Sequence, residues 1–565
     1  MNFIVAGIAL LSTMWIARLI TEANHILLAP ALTLSLWACV LAISVGFNLP
    51  IELIWLPFWM TILASAAASA IASYYSWTEL HKLIVPAICT IVILLPYFLH
   101  GVSDYPGSHL FWDGYAYVAE GESLWPYPRS TGFESLPMFY KYGIMMAQGR
   151  YVGSSLLSIF RGVIPLGGDT QQAAAYFFVL CVFTLACSSA FLASILWPNH
   201  LAARFLFVAL VTVSCPTLNL VWANNIDHIL ALALAPALTG LAFRNRDEFI
   251  ESCVMGIMGA AIVFIYPEMA PILILPAAVL SVSQVISRRS RAIPLAVTMI
   301  VAIALLAPFL YEISRFFSGQ ITATQTAIRP GEGMYGALLR PLCAPAAFAG
   351  LYSNSQQCFL RFDDLFRLVI GCSFLGAALM GAAKMRNWIA ISVAIVSAGA
   401  IYFLLVQNYS YGAFKLLSSN FYLLAALVVA FGVSIQVQTA KILFSLIVGA
   451  YVVNAITRVD AFDRQVAIKS IEPYRAIKIP IPLGAVVGLD IVDNVFAFEW
   501  AAYYLRVHPV VPIHGELPYY PLSEESRRAF ERSHGPPSFL LTTDIRDLKL
   551  TWSNEVYRLY SLDRQ

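Results

Sequence analysis

The sequence predicts a polytopic α-helical membrane protein with a small C-terminal α/β domain. Three observations predict it. The chain has 565 residues, of which 59% are hydrophobic and only 12% charged, about half the charge of an ordinary soluble domain, and its mean hydropathy is +0.74. Apolar runs of about 20 residues recur along it, each long enough to cross a hydrocarbon core of about 30 Å. The charge is gathered at the end: residues 457–565 hold 27 of the 66 charged side chains, 13 basic and 14 acidic, and no spanning stretch. Two domains follow, a transmembrane helical domain over 1–456 and a soluble domain over 457–565. A net charge of +2 with no basic face gives no reason to expect nucleic acid.

Reading apolar runs against helix breakers gives fourteen spans, at 2–20, 26–47, 52–74, 82–100, 172–196, 201–222, 227–243, 249–266, 269–287, 292–312, 366–383, 388–407, 414–435 and 440–456. The first lacks the basic flank and small-residue cleavage site of a signal peptide and reads as a retained helix. Pro267 and Pro271 separate two of the spans, because proline supplies no amide hydrogen to a helix ladder. Short turns carrying Arg244 and Arg246, Arg288, Arg289 and Arg291, and Lys384 and Arg386 fall on one side, which the positive-inside rule makes cytoplasmic. The opposite side then receives loops 101–171 and 313–365, the turns at Asn224–Asp227, Tyr266–Glu268 and Asn408–Lys415, and the extracytoplasmic C-terminal domain. No repeated pair of broken helices of the transporter type is visible.

The outward segments carry the chemistry. Within 101–171 the run Trp112-Asp113-Gly114-Tyr115 opens an acidic aromatic stretch. If 110–124 is helical, Asp113, Tyr117 and Glu120 share a face. A carboxylate there suits proton abstraction from an acceptor hydroxyl, since partial burial raises its pKa toward useful values. The alternative is a solvated interfacial helix whose acids keep it out of the bilayer. Segment 137–166 reads as amphipathic and is expected on the surface. Asp227, His228 and Glu268 lie at outer helix ends, where ionisable groups mark functional sites unless they are merely wet. Tyr411 and Lys415 end another outward turn, and a cation there suits a phosphate oxyanion or else snorkels to the interface. Arg329 and Arg340 are further candidate phosphate contacts, or ordinary loop charges. Most of the nine cysteines sit in apolar runs as small hydrophobes. Cys343 and Cys358 share an outward loop in which Pro345 and Gly350 let the chain turn back, so they are expected to pair. No nucleotide loop, hydrolase elbow or zinc-protease helix appears.

In the tail, 485–490, 509–513, 539–543 and 555–562 read as strands and 494–506 as an aromatic helix, an alternating pattern that gives a small α/β domain. It is expected to cap the membrane site, to bind acceptor, or to be structural.

This layout resembles the GT-C class of integral-membrane glycosyltransferases, in particular bacterial members with a short tail. The resemblance rests on the acidic external run Trp112-Asp113-Gly114-Tyr115, the many spans, and a C-terminal α/β domain ending in Val556-Tyr557-Arg558-Leu559-Tyr560. It implies a bacterial inner-membrane enzyme that moves a sugar from a polyprenyl-phosphate carrier to a glycan, lipid or protein acceptor at the outer face. In that class an acid of the first external loop is the base or positions the acceptor, which maps onto Asp113, with Glu120 beside it. The basic residue for the carrier phosphate maps onto Lys415. The chain departs from the class in placing four spans before the acidic loop. The paired acidic motif that holds a metal in some relatives is not evident either, so no cofactor is expected and metal dependence stays open. Competing readings are a flippase for lipid-linked glycans and a non-catalytic scaffold that displays the tail.

Overall fold

The computed structural model describes residues 7–21, 24–71, 77–99, 112–131, 150–161, 170–222, 225–244, 248–287, 292–326, 336–352, 358–359, 361–385, 387–466, 481–492, 495–513, 516–517, 520–521 and 524–562. The chain is an integral membrane protein built as a helical bundle with a small C-terminal sheet. Nine helices among the described residues are long and apolar enough to span a membrane, or eleven if two bent pairs are counted as single spans. Large apolar side chains on the bundle's flanks, among them Leu56, Leu63, Ile293, Ile300, Leu379 and Leu446, are exposed. This is the pattern of a surface that hydrocarbon covers.

Each of the fourteen apolar runs contains helix, but several are not continuous spans. The run at 82–100 breaks into Ile84–Ile93 and Leu95–Leu99, with Pro96 at the second helix's start. The run at 201–222 bends by 42° between Leu201–Thr212 and Cys215–Val221, and the run at 414–435 bends by 55° between Ser410–Ser419 and Phe421–Ser434. The segment 313–365 is more helical than a loop, since a helix runs over Leu310–Thr326.

Eight helices, with a break between α5 and α6 and another between α7 and α8, frame one end of the bundle. They are labelled α1 (Trp112–Leu124), α2 (Tyr151–Phe160), α3 (Thr170–Leu196), α4 (Ile226–Arg244), α5 (Phe249–Ile265), α6 (Ala270–Ser287), α7 (Ser410–Ser419) and α8 (Phe421–Ser434). Two sequence expectations are corrected here. All ten residues of α2 are buried, so the described part of segment 137–166 is an interior helix rather than a surface one. Likewise α1 is buried throughout residues 114–124, which excludes a solvated interfacial helix. Small residues allow this close approach. A Cβ on Gly121 would stand 2.7 Å from the Ser154 carbonyl oxygen, so only glycine lets α1 lie this near α2.

The C-terminal sheet has the strands β1 (Val487–Asp490), β2 (Val510–Pro512), β3 (Glu516–Leu517), β4 (Tyr520–Pro521), β5 (Phe539–Thr542), β6 (Lys549–Ser553) and β7 (Arg558–Ser561), with helix α9 (Val495–Tyr504) after β1. The five-stranded sheet has the order β2-β1-β5-β7-β6, and β3 pairs β4 apart from it. β1 runs parallel to both β2 and β5, while β5, β7 and β6 are antiparallel. β1 is buried at every position, as a strand covered on both faces must be. β6 and helix Glu524–His534 escape the sequence reading because one is an exposed edge and the other is rich in charge, Glu-Glu-Ser-Arg-Arg at its start.

The sheet unit docks on α1 through α9. The Trp500 and Tyr115 rings meet edge to face with centroids 5.8 Å apart. One carboxylate oxygen of the buried Glu122 receives Arg161 at 2.8 Å and Arg506 at 3.3 Å, and the other accepts from the Thr170 hydroxyl at 2.7 Å. One acid thus ties α1, α2, α3 and the C-terminal unit together. Glu122→Gln removes the charge that both arginines meet. Hydrogen exchange of the peptides spanning 112–124 and 495–506 is expected to rise at least several-fold in that variant, with distant helices unchanged; equal exchange in both proteins would show that Glu122 does not hold this junction.

Cys343 and Cys358 are joined as a disulfide, with Cα atoms 6.3 Å apart. Asp364 holds the same segment by accepting from the Tyr352 hydroxyl at 2.9 Å and from the backbone amides of Phe359 and Arg361, each at 3.1 Å. Maleimide labelling of the denatured, unreduced protein is expected to count the seven remaining thiols, and nine after reduction.

Candidate functional site

The helix ends that meet at one end of the bundle each bring a polar group. α4 begins with Asp227 and His228 in its first turn, where a carboxylate is favoured by the helix dipole. The chain breaks at Tyr266–Met269 between α5 and α6, because Pro267 and Pro271 interrupt the ladder, and this break presents Tyr266 and Glu268. The α7–α8 bend presents Tyr411 and Lys415 on one arm and Ser419 and Asn420 at the corner. α1 and α2 close the fourth side.

Arg150, immediately before α2, sits at the centre. Its guanidinium is 3.7 Å from Asp227 and 3.4 Å from Glu268, and lies 5.6 Å from the centre of the Tyr266 ring. Lys415 approaches the same ring at 5.5 Å and the Tyr411 ring at 4.8 Å. Asp227 has no exposed surface and accepts from the Tyr117 hydroxyl at 2.8 Å. Gly153 makes room for it, since a Cβ at Gly153 would collide with the Asp227 carboxylate. Glu120 accepts from the Ser154 hydroxyl at 2.6 Å. Burial pushes the Glu120 carboxyl up to about 8, against the pull of Ser154, Arg129 and Arg150. Arg129 itself pairs with Glu312 and lies 4.1 Å from the Tyr151 ring centre.

Glu120, Asp227, His228, Glu268, Tyr411 and Lys415 therefore fall in one neighbourhood. His228 joins it through its ring, 5.1 Å from that of Tyr266, and through Ser419, 2.9 Å from its Nε2. Asp113 lies in the first turn of α1, on the helix face of Tyr117 and Glu120 by spacing; its side chain lies outside the described residues. Arg329 lies outside them too. Arg340 is exposed, at the end of the turn Gly336–Leu339, and no ion pair joins it to this neighbourhood among the described residues. Sequence reasoning missed Arg150 and Asn420; it placed Tyr117 on the face of Asp113 and Glu120 and Tyr266 in an outward turn, but gave neither a role. The available signal was a lone arginine set directly before the wholly apolar and small-residue run Tyr151–Phe160, a position where a cation needs a buried partner.

Two cations and three carboxylates in a buried setting can hold an oxyanion and place a carboxylate beside it. Among the described residues no three His, Cys, Asp or Glu side chains come together in a way that could hold a metal ion.

No protein-family model matches the chain, and no curated protein matches it. Solved structures do resemble it. The oligosaccharyltransferase of Archaeoglobus fulgidus, in complex with zinc and sulfate, is similar over 81% of this chain and 68% of its own, with 12% identity and a TM-score of 0.47. The archaeal oligosaccharyltransferase AglB of the same organism, in complex with an inhibitory peptide and a dolichol-phosphate, is similar over 83% and 70%, with 11% identity and a TM-score of 0.42. ArnT from Cupriavidus metallidurans, bound to undecaprenyl phosphate, is similar over 84% and 97%, with 13% identity and a TM-score of 0.35.

The raised Glu120 carboxyl gives a stability prediction with a definite sign. Its folded value of about 8 lies above the ordinary 4.5, so its contribution is complete below about pH 4.5 and is lost as pH rises toward 8. Glu120→Gln imitates the protonated acid. The unfolding temperature of the variant is expected to climb relative to the parent between about pH 4.5 and 8 and then to hold a constant lead; a gap that does not change with pH would place the proton elsewhere.

Proposed function

We propose that this protein transfers a sugar from a polyprenyl-phosphate carrier to an acceptor hydroxyl at the outer face of the membrane. The observation that carries this reading is the convergence of Arg150 and Lys415 on Tyr266, with Asp227 and Glu268 beside them, at the opposite end of the bundle from the turns that follow Arg244 and hold Lys384. Arg244 closes the far end of α4, so by the positive-inside rule the Arg150 end is the outer one. The C-terminal unit, docked on α1, lies at that end with it. A disulfide between Cys343 and Cys358 suits the same oxidising side.

In the reaction the acceptor O–H gives its proton to the Asp113 carboxylate while its oxygen attacks the anomeric carbon. The bond from that carbon to the phosphate oxygen breaks, its electron pair stays on the phosphate, and the configuration inverts. The leaving phosphate gains a negative charge as this happens. Arg150 and Lys415 meet that charge as it develops, which is where fixed cations in a water-poor site act most strongly. Glu120 is largely protonated near neutrality and serves as a hydrogen-bonding partner rather than as the base, which falls to Asp113. The carrier reaches the site from the bilayer, so no nucleotide-sugar pocket is required. The acceptor class, whether glycan, lipid or protein, is set by surfaces beyond these charges.

Purified protein in lipid vesicles, given polyprenyl-phosphate sugars and an acceptor, is expected to form a glycosylated product. Asp113→Asn keeps the side-chain shape but cannot take a proton, and should lower turnover by about 10²–10⁴-fold with expression unchanged. Lys415→Met should raise the donor KM and lower turnover together, since it removes a charge near the leaving phosphate. Wild-type turnover in Asp113→Asn would remove that residue from the chemistry, and movement of a lipid-linked glycan across the vesicle without transfer would overturn the proposal.

A further inference from the structure

Apart from the hydroxyl of Tyr266 itself, the buried polar atoms around it that lack a partner are acceptors. Asn420 donates its side-chain nitrogen to the Ile272 carbonyl at 3.3 Å, which fixes the amide and leaves Oδ1 as an acceptor with no partner among the described residues. Ser419 donates its only hydroxyl hydrogen to the Lys415 carbonyl at 2.7 Å. Toward His228 Nε2, at 2.9 Å, it can therefore only accept. In the neutral ring Nε2 then carries the proton and Nδ1 is a bare lone pair, again buried and without a partner among the described residues. Both carboxylate oxygens of Glu268 are in the same condition, meeting Arg150 as an ion pair at 3.4 Å but accepting no hydrogen bond. Asn225 adds one more side-chain oxygen of this kind. The Tyr266 hydroxyl, also unpartnered, can act either way.

These atoms come from three helix ends: Asn225 and His228 from the start of α4, Tyr266 and Glu268 from the α5–α6 break, and Asn420 from the α7–α8 bend. A buried acceptor left without a hydrogen bond costs about 1–3 kcal/mol, and such groups are rarely retained unless something meets them. What meets them must bring hydrogen-bond donors. A phosphate or a sugar carboxylate brings only acceptors. An ammonium would bring a further cation to a place where Arg150 already balances Glu268. Neutral hydroxyl groups fit.

We infer that His228, Glu268 and Asn420 form the subsite for the transferred sugar and read it through its hydroxyl groups, so that the donor carries a neutral, hydroxyl-bearing sugar. This rests on the transferase reading and adds to it the chemical class of the group moved. Arg150 and Lys415 hold the phosphate, and the acceptor atoms hold the ring beyond it.

The test uses the full-length protein in vesicles with polyprenyl-phosphate hexose, a set of carriers in which each ring hydroxyl in turn is replaced by hydrogen, a carrier bearing an amino sugar, and polyprenyl phosphate alone. At least one deoxy carrier is expected to lose about 10- to 100-fold in kcat/KM, the size of one or two hydrogen bonds. That loss should shrink toward onefold in Asn420→Leu, which no longer offers the acceptor, and His228→Phe, which keeps a ring but lacks the Nδ1 lone pair, provides a second such variant if the first does not fold. Equal use of every deoxy carrier, preference for the amino sugar, or a loss undiminished in both variants would overturn the subsite. Thermal stabilisation of the protein by each carrier separates the two levels of failure. Stabilisation by polyprenyl phosphate alone that the sugar does not increase overturns the sugar subsite only. No stabilisation and no transfer with any carrier overturns the transferase reading along with it.

Discussion

The guanidinium of Arg150, mostly but not fully buried, is the constraint on which this end of the molecule depends. A cation among apolar helices carries a large desolvation penalty unless carboxylates surround it, and here they come from two separate helix ends, Asp227 at the start of α4 and Glu268 at the α5–α6 break. Removing either acid would leave charge uncompensated, and removing the arginine would leave two acids facing each other. The breaks in α5–α6 and α7–α8 make sense in the same terms. An unbroken helix cannot offer both a side chain and a free turn at one depth, whereas a broken one presents polar groups where backbone atoms also need partners.

The second organising interaction is the docking of the C-terminal sheet unit on α1. Glu122 sits two residues beyond Glu120 on one short helix, and it is held by arginines from both sides. Because α1 is only 13 residues long and lies against α2 with glycine-scale clearance, its position follows from those contacts more than from its own helix propensity. The C-terminal unit thus helps to set where the N-terminal turn of α1, with Asp113, can lie. This gives the tail a physical role in the site, whatever it binds on its other surfaces.

The charge balance of the site bears on its chemistry. Arg150 and Lys415 are matched by Asp227 and Glu268 before any ligand arrives, while Glu120 is held largely neutral by burial. On the proposed reading, a phosphodiester entering this setting would meet cations whose counter-charges sit at helix ends. Under that proposal the second phosphate charge would develop beside cations already in place, and an interaction that strengthens during bond cleavage lowers a barrier instead of merely deepening a complex.

Length and hydropathy alone determined the class of this protein, because a bilayer demands about 20 apolar residues per helix and the fourteen runs each supplied helix. Strand–helix alternation in the tail likewise followed from local pattern, although the exposed edge β6 and the charged helix Glu524–His534 carried no such pattern. Asp227, His228, Glu268 and Lys415 were legible as candidates because ionisable groups at helix ends are costly wherever they are not needed. That they share one side was legible too; the contacts that join them were not. Asp227 and Lys415 are far apart in sequence, and only the packing of α4 against α6 and of α6 against the α7–α8 bend brings their ends together. The burial of α2 was misread because its ten residues are mostly small or apolar with three serines, a composition that an interfacial helix and an interior one share, and the neighbours that decide between them are chosen by tertiary structure. Arg150 was passed over although its place before an apolar run calls for a partner, because which carboxylates supply it is decided only when two arrive from elsewhere in the chain.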